Sequence, residues 1–95
     1  MYVLVHHTIH DAERFWGLGA ESIQFPDALT LHQTLSAKDG TLATCLWEAP
    51  SIDAVREFLE PYHAGIASNV YREAENREGI VYPARFTTAV PLPSV

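Results

Sequence analysis

Cysteine and positive charge are the scarcest resources of this chain: it has one cysteine, Cys45, and six lysines and arginines against twelve acidic residues. One cysteine excludes an internal disulfide, and a reducing cytoplasm is the expected setting. The formal net charge is −6, with no basic run anywhere. Binding to a phosphate backbone draws on clustered cations, so nucleic acid is not an expected partner, and neither is an anionic membrane surface. Long apolar runs are missing too. No stretch approaches the roughly 20 residues of a spanning helix, and the opening Met1-Tyr2-Val3-Leu4-Val5 is too short and lacks the basic start of a secretory signal. There is no phosphate-cradling glycine loop, since Gly17-Leu18-Gly19 lacks the following glycine and the preceding strand. No Cys-x-x-Cys occurs, and no helical His-x-x-x-His is evident.

What is present is apolar. Hydrophobic residues make up 47% of the 95 positions and charged residues 19%. This length makes one domain. Its composition is too apolar for a disordered chain and leaves a small monomer with apolar surface to cover.

The periodicity changes along the chain. Residues 2–8 are β-branched and aromatic at successive positions, a strand buried on both faces. From Asp11 the period becomes helical, with Ala12, Phe15, Trp16, Gly19 and Ile23 on one stripe and Pro26 past its end. Residues 29–35 and 41–48 form two strands around Ala37-Lys38-Asp39-Gly40, whose Asp-Gly pair signals a tight hairpin. Ser51 is a good N-cap for a helix carrying Ile52, Val55, Phe58, Leu59 and Tyr62 on one side. Pro61 predicts that this helix stops near Glu60, with His63 in the turn beyond. Residues 68–74 are expected as the last strand, with Gly79-Ile80-Val81-Tyr82 as the competing candidate. The domain is therefore expected over residues 1–82, and Pro83, Pro91 and Pro93 mark residues 83–95 as an irregular tail. The order βαββαβ predicts an α+β fold, a ferredoxin-like sandwich with an antiparallel sheet and two helices on one face.

Alternation within the strands predicts how the faces are composed. Leu29, Leu31 and Leu35 are expected opposite Leu42 and Leu46 on one face, with Thr30, His32, Thr34, Ala43, Cys45 and Trp47 on the other. Val3, Val5 and His7 fall on one side of the first strand and Tyr2, Leu4 and His6 on the other. Neither face alternates with charge as a solvated sheet face does. A second copy of the chain is the natural cover, so a homodimer is expected.

Residues 43–61, from Ala43-Thr44-Cys45-Leu46-Trp47-Glu48 through Pro50-Ser51-Ile52-Asp53 to Phe58-Leu59-Glu60-Pro61, resemble the strand-to-helix segment of small proteins in the dimeric α/β-barrel superfamily. They are similar in particular to a ferredoxin-like family that includes actinobacterial nickel-binding proteins. The opening His7-Thr8-Ile9-His10-Asp11 with Phe15-Trp16 resembles the same group. The resemblance implies a homodimer with facing sheets and a cavity between sheet and helices. The wider superfamily includes metal binders, heme-degrading enzymes, cofactor-independent monooxygenases and isomerase-like enzymes.

Five histidines, His6, His7, His10, His32 and His63, and Cys45 are the chemistry-bearing residues. Imidazole and thiolate suit nickel, zinc or copper. His6 and His7 point to opposite faces, so they cannot share an ion. In the expected register His32 is cofacial with Cys45 and Trp47, and His7 joins them if its strand neighbours that of Cys45, making His7 and His32 the candidate metal ligands. Trp47, Tyr71 and Cys45 are the candidate ligand-binding residues, because buried indole and phenol groups need partners for their polar tips. Phe15 and Phe58 read first as core. Glu57, Glu60, Glu73 and Glu75 read as solvated faces, and Cys45 as a small inert hydrophobe. The expected function is a small homodimeric binding protein for a metal ion or small apolar ligand. The alternative is a cofactor-independent monooxygenase or isomerase-like enzyme using a histidine base on a small aromatic substrate.

Overall fold

A computed structural model of the chain describes residues 1–18 and 23–75. The elements run β1 (Tyr2–Ile9), α1 (Ala12–Gly17), β2 (Thr30–Ser36), β3 (Leu42–Glu48), α2 (Ile52–His63) and β4 (Ala67–Ala74). The four strands form one sheet in the order β2-β3-β1-β4, and every neighbouring pair is antiparallel. The protein is thus an α+β fold built on a four-stranded antiparallel sheet with two helices. The last strand falls at Ala67–Ala74, next to β1. The competing segment 79–82, the tail 83–95 and the Gly19 position of the first helical stripe lie outside the described residues.

Both helices are capped as their sequences require. The Asp11 carboxylate accepts from the Arg14 amide at 3.1 Å, and Ser51 Oγ accepts from the Ala54 amide at 3.0 Å. Each satisfies a donor that the first helical turn cannot. The face of β1 that carries Val3, Val5, His7 and Ile9 is wholly buried. Val55 and Leu59 of α2 pack on Val3, Val5, Cys45 and Trp47, while Phe15 of α1 packs on Ile9 and Ala43. Both helices therefore cover this inner face, and each fully buried aliphatic side chain there contributes roughly 1.5–3 kcal/mol.

The hairpin differs from simple alternation. Leu31 pairs with Trp47, but the register then slips at His32, so that Gln33 pairs with Leu46 and Thr34 with Cys45. One extra residue reverses the phase of a strand whose side chains alternate every two positions. Leu29 and Leu31 stay inside, whereas Leu35 turns outward and is 59% exposed beside Leu42 at 53%. The expected faces are thereby corrected: Leu35 shares the outer face with Leu42 and Leu46, but Leu29 and Leu31 join Cys45 and Trp47 inside, where Thr34 remains and His32 does not. α2 also departs from expectation. It continues through Pro61 to His63: the proline forfeits one i→i−4 hydrogen bond, and the packing of the His63 ring on His7 and Phe15 holds the last turn in place.

The hairpin turn is closed by the Gly40 amide on the Ala37 carbonyl at 3.0 Å, and Gly40 lies at φ +77°. Trp16 donates its indole N–H to the Gly40 carbonyl at 2.9 Å, which ties α1 to this turn. A Cβ on residue 40 would sit 3.2 Å from Trp16 Nε1. Gly40→Ala is expected to destabilise the fold by about 1–2 kcal/mol, from left-handed backbone strain with crowding of Trp16 in addition. Urea unfolding checks this, and an unchanged midpoint contradicts it.

Candidate functional site

Between the inner face of the sheet and the two helices lies a cavity of about 190 Å³. Its wall is largely aromatic, with Phe15, Phe25, Trp47 and Phe58 contributing rings. Phe25 lies 5.2 Å from Trp47 and 5.6 Å from Phe58 between ring centroids. The polar part of the wall is small and sits together: His7, His63, Thr34 and Cys45.

The register explains how these meet. β1 lies between β3 and β4, so His7 has Ala43 on one side and Asn69 on the other. His7 Nδ1 is 2.6 Å from Asn69 Oδ1, and His7 Nε2 is 3.3 Å from Cys45 Sγ. Asn69 Nδ2 is 2.9 Å from His63 Nδ1, 3.0 Å from Glu60 Oε2 and 3.2 Å from the Tyr71 hydroxyl. Tyr71 in turn donates to Glu60 Oε2 at 2.6 Å. Asn69 and Tyr71 are two apart on β4 and share a face; Glu60 and His63 are three apart on α2 and share another.

Electrostatics favour neutral groups here. Burial is the main cause holding the His7 imidazolium down, assisted by His6 and opposed by Asn69 and Glu60. His63 is lowered first by burial and then by His7, whose ring centroid is 5.2 Å away. Burial pushes the Cys45 thiol up, with Thr34 Oγ1 at 3.5 Å opposing the shift. Tyr71 is raised well above an ordinary phenol, by burial first and by its bond to Glu60 second. At neutral pH the site therefore holds neutral imidazoles, a thiol and a phenol.

The expected site residues divide. His7, Cys45 and Trp47 meet at the cavity wall. Tyr71 stands behind that wall, held by Glu60 and Asn69 with Arg56 5.0 Å from its ring centre. His32 is not with them. The slip in register carries it to the outer face, where Nε2 lies 2.9 Å from Glu48 Oε1 and its ring 6.0 Å from that of Tyr2. His7 and His32 are thus on opposite faces of the sheet, and the described residues contain no group of three or more His, Cys, Asp or Glu arranged to hold a metal ion. His6 and His10 bond to Thr44 and Ser68 on exposed surfaces.

Sequence reasoning does not single out Asn69, reads Glu60 only as part of a solvated face, and counts His63 among the chemistry-bearing histidines without placing it in the site. Pro61 reads as a stop, which puts His63 in a turn, whereas the helix carries it to the cavity wall. An asparagine in the middle of a strand is a poor β-former, and that mismatch was the available signal for Asn69. Comparison with protein-family models, with characterised proteins and with solved structures finds no match for this chain, so function has to be read from the chemistry of the site itself.

The two lowered histidines make stability depend on pH. Unfolded, they take up protons near the ordinary value of 6.5; folded, they stay neutral to lower pH. The unfolded state then binds more protons, so stability is complete above about pH 6.5 and falls as the pH drops toward the folded pKa values. A thermal midpoint that declines between about pH 7.5 and 5.5, with a shallower decline in His7→Phe, is the expected result. A midpoint independent of pH across that window would contradict it.

Proposed function

We propose that this chain is a small-molecule binding protein that takes a planar apolar ligand into the cavity between its sheet and helices. The observation that carries this reading is Trp47. It is 2% exposed, its ring lines the cavity, and its indole N–H is buried with no acceptor among the described residues. Buried donors are paired in the great majority of cases, so an unpaired indole N–H beside an apolar cavity supports a ligand that supplies the acceptor. Apolar cavities of about 150 Å³ accept a single aromatic ring, which sets the ligand scale here.

The strand order and the βαββαβ sequence of elements support a ferredoxin-like assignment, and the likeness of residues 43–61 to dimeric α/β-barrel proteins supports a homodimer. The outer face is the surface such pairing would use. Leu35, Leu42 and Val70 are each at least half exposed there, next to Leu4 and Leu46. Arg72 and Glu48 place one charge of each sign on the same face. A metal-binding role has less support, since His7 and His32 are separated by the sheet.

A second reading, a cofactor-independent monooxygenase or isomerase-like enzyme, is favoured by one observation: a neutral histidine, His7, stands at the cavity wall where a general base is needed.

Titration with toluene and phenol, followed by backbone amide chemical shifts, tests the binding reading. Saturable shifts at Phe25, Trp47 and Phe58 are expected from at least one ring, and no saturable shift from either overturns it. For the dimer, sedimentation at micromolar concentration is expected to give twice the chain mass, and Leu35→Lys with Leu42→Lys to give a monomer. A monomeric wild-type chain removes the dimer from the proposal.

A further inference from the structure

We infer that Asn69, oriented by Glu60, is a positioning residue that fixes His7 and His63 in opposite tautomers, so that the cavity presents a hydrogen-bond acceptor at His7 Nε2 and selects a ring bearing a hydroxyl group. The ligand class rests on the cavity-binding reading; the tautomer assignment does not.

The chain of reasoning starts at Glu60. A carboxylate only accepts hydrogen bonds, so the Asn69 amide atom 3.0 Å from Glu60 Oε2 has to be the nitrogen. The opposite orientation would set two acceptors against each other. Tyr71 reinforces this, because its hydroxyl spends its hydrogen on Glu60 and turns its oxygen toward the same amide nitrogen. Asn69 Oδ1 then faces His7 Nδ1 at 2.6 Å and can only accept, so His7 carries its hydrogen on Nδ1. The nitrogen face of the amide lies 2.9 Å from His63 Nδ1, so His63 accepts there and carries its hydrogen on Nε2. One amide thus imposes two different tautomers on imidazoles whose centroids are 5.2 Å apart.

The consequence is at the other end of His7. With the hydrogen on Nδ1, Nε2 holds a bare lone pair, 3.3 Å from Cys45 Sγ at the cavity wall. The thiol is the donor the protein offers it, and Thr34 Oγ1 stands behind the sulfur at 3.5 Å. A thiol is a weak donor. A ligand hydroxyl is a stronger one, and it satisfies Nε2 without any group having to ionise in an apolar enclosure. The donors then run in one direction, from ligand to His7 to Asn69 to Glu60, ending on a carboxylate at the exposed side of α2.

Nitrogen-15 correlation spectra of the histidine rings test the first part. His7 is expected as the Nδ1–H form and His63 as the Nε2–H form near pH 7.5, and Asn69→Leu is expected to abolish the single-tautomer pattern of both. His7 found as the Nε2–H form overturns the inference. The second part is tested with His7→Phe, which keeps an aromatic ring of similar size. Phenol is expected to bind about tenfold more weakly to the variant, and toluene to change by less than about twofold. Equal weakening of the two rings overturns the selection for a hydroxyl while leaving the cavity reading intact. Failure of both rings to bind the wild-type chain removes the cavity reading and the ligand class together, and the spectra still decide the role of Asn69. The wild-type spectra decide the tautomer assignment whether or not the variant folds.

Discussion

The hydrogen bond between His7 and Asn69, 2.6 Å long and spanning two neighbouring strands, is the constraint on which the site depends. His7 is 2% exposed, on a face otherwise given to Val3, Val5 and Ile9. An imidazole in that position needs both nitrogens satisfied, because an unpaired polar atom in such a place costs about 1–3 kcal/mol. Asn69 supplies one partner from β4 and Cys45 the other from β3. The pairing of β1 with both of these strands is what makes the arrangement available, since no two of the three residues are close in sequence. Asn69 in turn joins the sheet to α2 through His63 and Glu60, so one amide links two β-strands and the C-terminal end of a helix.

Two departures from regular structure put the remaining groups where they are. The first is the slip at His32. Without it, strict alternation from Leu31 would hold Gln33 on the inner face and put Thr34 outside; with it, Thr34 comes in opposite Cys45 and stands within 3.5 Å of its sulfur. The same slip sends His32 out to Glu48 and Tyr2. The second is the continuation of α2 past Pro61, which carries His63 back over the sheet, its ring centroid 5.0 Å from Phe15 and 5.2 Å from His7. A helix ending at Glu60 would have left that part of the wall to other residues.

The outcome is a wall of two chemical characters. Aromatic rings from α1, α2, β3 and the segment before β2 make it apolar, while a compact polar cluster sits at one place. Burial keeps that cluster neutral: the imidazoles are shifted down and the thiol and phenol up, each in the direction that avoids charge in a medium of low polarity. On the proposed binding role, hydrogen-bond direction rather than charge would be the means by which this cavity distinguishes one small molecule from another.

The sequence by itself determined the kind and order of the elements. Hydrophobic period separates strand from helix, Ser51 caps the second helix and Asp39-Gly40 closes the hairpin, because each of these is a local preference of a few neighbouring residues. It also marked His7, Cys45 and Trp47 as residues worth following. Only the tertiary structure decided which histidines share a face. The bulge at His32 and the last helical turn at His63 are settled by packing against residues far along the chain, and neither leaves a distinct local pattern. Asn69 and Glu60 acquire their role solely from what lies across a strand pair and a helix from them, 62 residues from His7 to Asn69, a distance over which periodicity carries no information.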